Sequence, residues 1–401
     1  MQPFVIAAYE MNAIRYSIIS RNPVSLVFVF VVLLLLMIIG LFAAHRMESV
    51  GHIVTGMNNR VVWGIPHVFA VFMIVAASGA LNMASVVSVF GQSAYKPLAR
   101  LSTVLALALL IGGLLVLVLD LGRPERLVVA MTHYNYRSIF AWNIFLYTGF
   151  VLVLLIYAWL QMERRFEHYS SFAGKLAFLW RLVLTSGTGL IFGILVARPA
   201  FDTAIMAPMF ILMSLSFGSA IFILLWCVLH YFNQQKLDRP LLKRLVRLQG
   251  IFIAAVLYIV IIHHTSNLYV SDHRAVELFL LRDGGHITIL FWLGQMVLGT
   301  VVPLLLVFLP AGEHQFIPRY LLSAVLVVLG GLAQLYVIII GGQSFPMPLF
   351  PGLEVVGSSL HGDIIQYSAS WLEFALALGG LATVFLLVLV AVKVLPLMPV
   401  R

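Results

Sequence analysis

An all-α integral membrane protein with ten transmembrane helices is the fold class this sequence predicts, and three observations predict it. Of 401 residues, 62% are hydrophobic and only 10% charged, and the mean hydropathy is +1.06. That balance excludes the two or three soluble domains the length would otherwise suggest. Apolar stretches of about 20 residues, the length that spans a ~30 Å hydrocarbon core, recur between polar breaks, and there are ten. None alternates as a barrel strand would, and backbone groups in lipid must be bonded within their own segment, so the stretches are helices.

The first stretch, residues 25–45, follows about 24 residues that carry Glu10, Arg15 and Arg21, which predicts a retained helix rather than a cleaved signal. The second to fifth lie at 65–91, 101–121, 139–161 and 176–197. The sixth to ninth lie at 207–232, 249–264, 287–309 and 320–341, and the last at 371–395. The second and sixth both begin near a proline and carry a Ser/Gly/Ala cluster at mid-depth, where small residues let helices approach closely. This echo predicts two four-helix bundles with the first and last helices flanking them, although shared membrane composition explains it equally well. The corresponding segments are 1–48, 49–205 (first bundle), 206–341 (second bundle) and 342–401, all within one transmembrane domain.

Lys and Arg set the orientation. The two termini and the alternate connections hold sixteen of them, including Arg181, Arg239, Lys243, Arg244 and Arg247. The other connections hold eight: Arg46, Arg60, Arg123, Arg126, Arg137, Arg198, Arg274 and Arg282. Both termini are therefore expected in the cytoplasm of a bacterial or archaeal cell whose inner membrane holds the chain. The longer connections 46–64, 122–138, 265–286 and 342–370 then form a loop-rich periplasmic face. The net charge of +9 comes from cations spread thinly between apolar runs, which argues for topology and against nucleic acid. The single cysteine, Cys227, excludes disulfide frameworks, thiolate-held iron–sulfur clusters and Cys-based zinc sites within this polypeptide. No metal site is expected, and any sulfur-ligated redox centre belongs to a partner.

Ionisable groups at the edge of the hydrocarbon are costly, which makes each a functional candidate. Asp120 closes the third helix in LVLDLGRPERL and Glu373 opens the last in YSASWLEF. Each is a candidate for proton transfer, as is His264; for Asp120 the alternative is an anchoring pair with Arg123 or Arg126. Nine of twelve histidines (His45, His52, His67, His133, His263, His264, His273, His286, His361) fall on the loop-rich face. A cytochrome that conducts across the bilayer needs axial pairs at two depths, so this one-sidedness argues against two stacked haems, while a single haem on, for example, His67 and His264 stays open. His67 lies one turn into the second helix after Trp63 and Pro66, where an imidazole in an apolar pocket can hydrogen-bond a quinone carbonyl and pass a proton. Candidates to converge with His67 and Trp63 are Asn82, Tyr134, Ser186 and Thr188. An interfacial histidine satisfied by a backbone carbonyl is the alternative.

The connection 122–138 offers Arg123, Arg126, His133, Tyr136 and Arg137 as residue types that dock a partner, or as a simple interfacial belt. Loop 342–370, with Phe345, Phe350, His361 and Asp363, is a second candidate surface.

The segment LDLGRPERLVVAMTHYNYRSIFAWNIFLYTG, residues 119–149, resembles the NrfD-like, or polysulfide-reductase membrane subunit, family, in which a helix ending in Asp, a GRPER-type turn and an Arg-Ser-x-x-x-Trp start to the next helix recur. NNRVVWGIPHVFAVF at 58–72, TSGTG at 185–189 and YSASWLEF at 367–374 add to it, the last resembling the ending of the longer, ten-helix members. Among these, GMNNRVVWGIPHVFAVFMIVAASGALN and MTHYNY look most like the DsrP type. The resemblance implies a cofactor-free subunit that binds a quinone, menaquinone or ubiquinone, near the periplasmic face. It further implies a periplasmic ferredoxin-like iron–sulfur subunit docked there, with multihaem cytochrome c, haem b membrane and cytoplasmic iron–sulfur subunits in the same sulfur-metabolism complex. By the same resemblance His67 matches the quinone-contacting histidine and Asp120 the acidic helix end. Where the short polysulfide-reductase form has a tyrosine in the fifth-helix region, Gly187 and Thr188 stand here. The rival readings are a transporter or proton conductor, with Gly112, Gly113, Gly330 and Gly331 as possible breaks, and a haem b cytochrome.

Overall fold

A computed structural model describes residues 15–19, 23–310, 316–346 and 365–400. Of the positions singled out above, Glu10, Arg21, Phe350, His361 and Asp363 lie outside the described residues. The protein is an all-α multi-pass membrane protein with, among the described residues, ten helices long and apolar enough to cross a bilayer. We label them α1 (Val24–Val50), α2 (Ile65–Ser88), α3 (Ala99–Leu119), α4 (Ile139–Met162), α5 (Ser170–Gly193), α6 (Met206–Asn233), α7 (Arg239–Tyr269), α8 (His286–Phe308), α9 (Phe316–Ser344) and α10 (Trp371–Val394). Helices α2–α5 pack on one another, as do α6–α9, and α1 pairs with α10, which leans on α3.

The two groups meet where α2 crosses α6, and these two helices are the most enclosed of the ten. A Cβ on Gly218 of α6 would fall on the backbone of Gly79 and Ala80 in α2, and one on Gly79 would fall on the Ser214 carbonyl. Only hydrogen fits at either position, so the Ser/Gly/Ala clusters of the two helices form the contact between bundles.

The largest departure from the sequence reading is α7, which begins ten residues before the expected start at 249. Asp238 caps it by accepting from the Leu241 amide, and Pro240 sits in its first turn. Leu241, Leu242, Leu245 and Val246 are buried while Arg239, Lys243, Arg244 and Arg247 are exposed. The cations made this amphipathic turn read as a loop. Two arginines counted as loop charges are in fact buried, Arg181 (4% exposed) within α5 and Arg198 (8%) between α5 and α6. A short antiparallel pair not foreseen, β1 (Arg15–Ser17) with β2 (Met398–Val400), joins the two ends of the described chain on one face. Arg100 stacks over Tyr16 there, 4.0 Å from the ring centre.

Candidate functional site

The connection before α2 folds back over the end of α3, bringing two histidines onto one carboxylate. Asp120 is the first residue beyond α3, and Gly122 two residues later has φ +71°, a left-handed conformation that turns the chain beneath the His52 ring. Nδ1 of His67 lies 2.7 Å from Asp120 Oδ2. Nε2 of His52 lies 3.7 Å from Oδ1 and 3.1 Å from the Asp120 backbone oxygen. The Asp120 side chain is 1% exposed, and that of His67 20%. Asp120 does not pair with Arg123 or Arg126; its partners are imidazoles. The His67 contact is close but falls short of a directed hydrogen bond: both Asp120 side-chain oxygens and His67 Nδ1 are buried without an aligned hydrogen-bond partner.

Burial is the largest influence on Asp120 and would raise its pKa, but the contacts with His52 and His67 together outweigh it and hold the carboxyl below the ordinary carboxylate range. His52 is raised, chiefly by its contact with Asp120. A raised histidine contributes its ion pair fully below its ordinary pKa of about 6.5 and loses it as pH climbs through the raised value. The lowered Asp120 contributes above its ordinary pKa of about 3.9 and fails only as pH falls through the lowered one. The His52–Asp120 ion pair is therefore kept at mildly acidic pH and lost as pH climbs through the raised value of His52. We expect His52→Gln to flatten the alkaline limb of the pH profile of the assembled complex while leaving the acid limb in place. An unchanged alkaline limb would separate His52 from the chemistry.

An aromatic box adjoins the cluster. The Trp63 ring centre lies 6.3 Å from His67, 5.7 Å from Phe192 of α5 in edge-on contact, and 6.3 Å from both Phe140 of α4 and Phe201. Two buried clamps hold the loop that carries Trp63. Gln343, at the end of α9, accepts from the Val62 and Trp63 amides at 2.9 and 3.1 Å and donates to the Trp63 carbonyl at 3.0 Å. Arg198 donates to the carbonyls of Gln343 and Arg60. On the other side Glu373, wholly buried, caps α10 with Ser370 and accepts from the Gly56 amide and the Tyr367 hydroxyl, while Tyr367 accepts from the Ile65 amide. Burial and the adjacent Glu373 carboxylate push the Tyr367 phenol up.

The structure thus brings His67, Trp63 and Asp120 together, sets Glu373 against the loop before α2, and places the remaining candidates elsewhere. Thr188 is buried one turn below Phe192 and shares a 3.1 Å hydrogen bond with Tyr147 of α4. A phenol therefore stands beside the position where α5 has Gly187 and Thr188 instead of a tyrosine. Ser186 is half-buried on the same helix. Asn82 is fifteen residues beyond His67, about 22 Å along α2 by helical rise, and binds Arg181 at 2.6 Å. Tyr134 stacks on Phe145 with ring centres 4.2 Å apart, and no contact joins it to His67 among the described residues. His264 pairs with Glu277 of the short helix Ser271–Leu278 in the second bundle. His67 and His264, weighed above as one axial pair, thus face different carboxylates in different bundles. Arg123, Arg126, His133, Tyr136 and Arg137 are all exposed on the connection beyond Asp120, among exposed Val128 and Val129.

Sequence reasoning missed His52, Tyr147, Arg198, Gln343 and Glu277. His52 carried a partial signal in the one-sided histidines, but only the fold of the loop shows which carboxylate it meets.

Residues 53–347 match the family described as polysulphide reductase, NrfD, a span that holds His67, Asp120 and the GRPER turn. The chain belongs to the NrfD family. Across 97% of its length it is 27% identical to the Hdr-like menaquinol oxidoreductase integral membrane subunit of Archaeoglobus fulgidus, covering 98% of that protein. It is 24% identical to a subunit of the selenate reductase of Mesobacillus selenatarsenatis, over 92% of this chain and 93% of that one. The menaquinone reductase integral membrane subunit of Nitratidesulfovibrio vulgaris is 32% identical over 31% of this chain and 30% of its own. The likeness to the first two thus covers nine tenths or more of the chain, and the likeness to the third less than a third of it.

Proposed function

We propose that this chain is the quinone-binding membrane subunit of a multi-subunit redox complex, with the quinone headgroup held beside His67, Asp120 and Trp63. The observation that carries this reading is the His52–Asp120–His67 cluster, with buried polar atoms lacking aligned partners, beside an aromatic box at the end of the transmembrane helices. Apolar walls with a few convergent polar groups suit a flat, apolar ring that carries two carbonyls. A bound quinone supplies two-electron, two-proton redox chemistry in a lipid-soluble form. The chain's residues supply the rest: Asp120 orients the His67 imidazole through Nδ1, leaving Nε2 to hydrogen-bond a carbonyl oxygen, and the pair holds or passes the proton there. Trp63 and Phe192 wall the ring, and Tyr147 offers a second hydroxyl through its bond to Thr188.

Two of the relatives above are named for menaquinol or menaquinone, which supports menaquinone as the carrier. The exposed Arg123, Arg126, His133, Tyr136 and Arg137 support the connection after Asp120 as the docking face for an iron–sulfur partner. Sixteen against eight cations favour a periplasmic placement; with the two buried arginines set aside the balance becomes fifteen against seven and keeps its direction. The DsrP-like stretches support a place in sulfur metabolism, in a complex that also holds cytochrome c, haem b and cytoplasmic iron–sulfur subunits.

Menaquinone titration of the lipid-stripped full chain tests the binding. Saturable binding is expected, weakened about tenfold or more by Trp63→Ala and by less than that in Tyr147→Phe, which removes one hydroxyl. Absence of saturable binding by the unmodified chain would contradict the proposal.

A further inference from the structure

The loop before α2 is held by a helix that lies outside the family-matched span. That span ends at residue 347, and α10 begins at Trp371. Glu373, the third residue of α10, forms a capping box with Ser370, an arrangement that by itself serves only the start of its own helix. Here the side chain is wholly buried and reaches a partner 317 positions away in the chain. Oε2 accepts from the Ser370 amide at 2.7 Å and from the Gly56 amide at 2.8 Å. Oε1 accepts from the Tyr367 hydroxyl.

Tyr367 carries the constraint on to α2. Gly64 caps that helix and has no side chain to do so, which leaves the Ile65 amide, one of the donors unpaired at any helix start, in need of an acceptor from elsewhere. The Tyr367 oxygen accepts from it at 2.9 Å. Trp63 lies two residues before Ile65 and His67 two residues after. The packing agrees. A Cβ on Gly64 would fall on the Glu373 carboxylate and the Tyr367 hydroxyl, and one on Gly56 would fall on the Ser368 carbonyl, so both ends of the loop are glycine where this turn presses against them.

The two buried carboxylates beside this loop differ in one respect. Both oxygens of Asp120 lack an aligned partner, whereas both oxygens of Glu373 are taken up by backbone amides and a phenol. Asp120 is free to follow a proton on the His67 ring. Glu373 is committed to holding backbone, and removing it would strand the buried donors it satisfies.

We propose that Glu373 is a positioning residue of the quinone site: through Tyr367 and the Gly56 amide it fixes the start of α2, and with it Trp63 and His67, without carrying the quinone's proton. This inference rests on the quinone-binding reading above.

The test compares Glu373→Ala, Glu373→Gln and Tyr367→Phe in the assembled complex, by hydrogen–deuterium exchange of the 56–67 segment and by turnover with menadiol as the quinol. A glutamine amide still accepts from Gly56 and Ser370 and donates to the Tyr367 oxygen, so Glu373→Gln keeps the clamp but cannot relay a proton. Faster exchange across 56–67 is expected in Glu373→Ala and Tyr367→Phe, with KM for menadiol raised several-fold and kcat changed less, and Glu373→Gln recovers most of both. Turnover as low in Glu373→Gln as in Glu373→Ala, with exchange unchanged in the former, would make Glu373 a proton carrier and overturn the proposal. Exchange unchanged in both Glu373→Ala and Tyr367→Phe would overturn it as well. Should Glu373→Ala fail to assemble, Tyr367→Phe decides by the same two readouts. Trp63→Ala in the same assay separates the two readings: a raised KM there beside an unchanged one in Glu373→Ala removes the positioning role alone, whereas an unchanged KM in both removes the quinone site on which it rests.

Discussion

Alanine at His67 is expected to lower quinol-dependent electron transfer by about 100-fold in the assembled complex, the lower end of what a positioned acid–base group supplies. The substitution removes the Nδ1 contact with Asp120 and the imidazole that faces the aromatic box. Asp120→Asn keeps the shape while removing the charge that orients both histidines, so a smaller loss is expected, about tenfold, with the pH profile displaced. Steady-state rates against quinol concentration check both, with complex assembly confirmed on the same preparations. Unchanged turnover and quinol affinity in His67→Ala would remove that histidine from the site.

The second large effect is on stability. Valine at Gly218 would drive its Cβ into the backbone of Gly79 and Ala80, where no side chain is present to move aside. Overpacking that ordinarily costs 1–3 kcal/mol should reach about 3 kcal/mol here, since relief requires α2 and α6 to separate. A fall in Tm of roughly 5 °C or more, followed by thermal melting in detergent, is expected, together with poor recovery of the folded chain. The same substitution at Gly91, which lies on the surface with open space around it but at φ +66°, should cost less. A Gly218→Val protein as stable as its parent would show that the α2–α6 crossing does not hold the bundles together.

Helix number and type were legible because lipid dictates them: an apolar run of fixed length has one solution. The echo between α2 and α6 was legible for a related reason, since small residues at mid-depth serve close packing, and Gly79 and Gly218 do meet. The Asp120–His67 pairing lay half in view. Each residue stood out as an expensive polar group near a helix end, but the contact between them depends on α2 and α3 being antiparallel neighbours, and His52 depends on the path of a loop. Gln343 was unreadable, being an uncharged residue 280 positions from the loop it clamps. Glu277 was hidden because the short helix Ser271–Leu278 looked like an ordinary polar connection, and only its folding back buries the carboxylate against His264. Arg181 misled for the opposite reason: a charge near the start of an apolar run reads as a loop residue, while a backbone carbonyl and Asn82 allow it inside.

Photo-labelling the assembled complex with an azido-quinone, and mapping the modified residues by mass spectrometry, tests the central claim most directly. Label is expected on the 60–72 segment and on the facing ends of α4 and α5, around Trp63, His67, Phe140 and Phe192, and competed away by excess unlabelled quinone. Competable label confined to the face that carries the chain termini, near Lys96 and Arg100, would contradict the account.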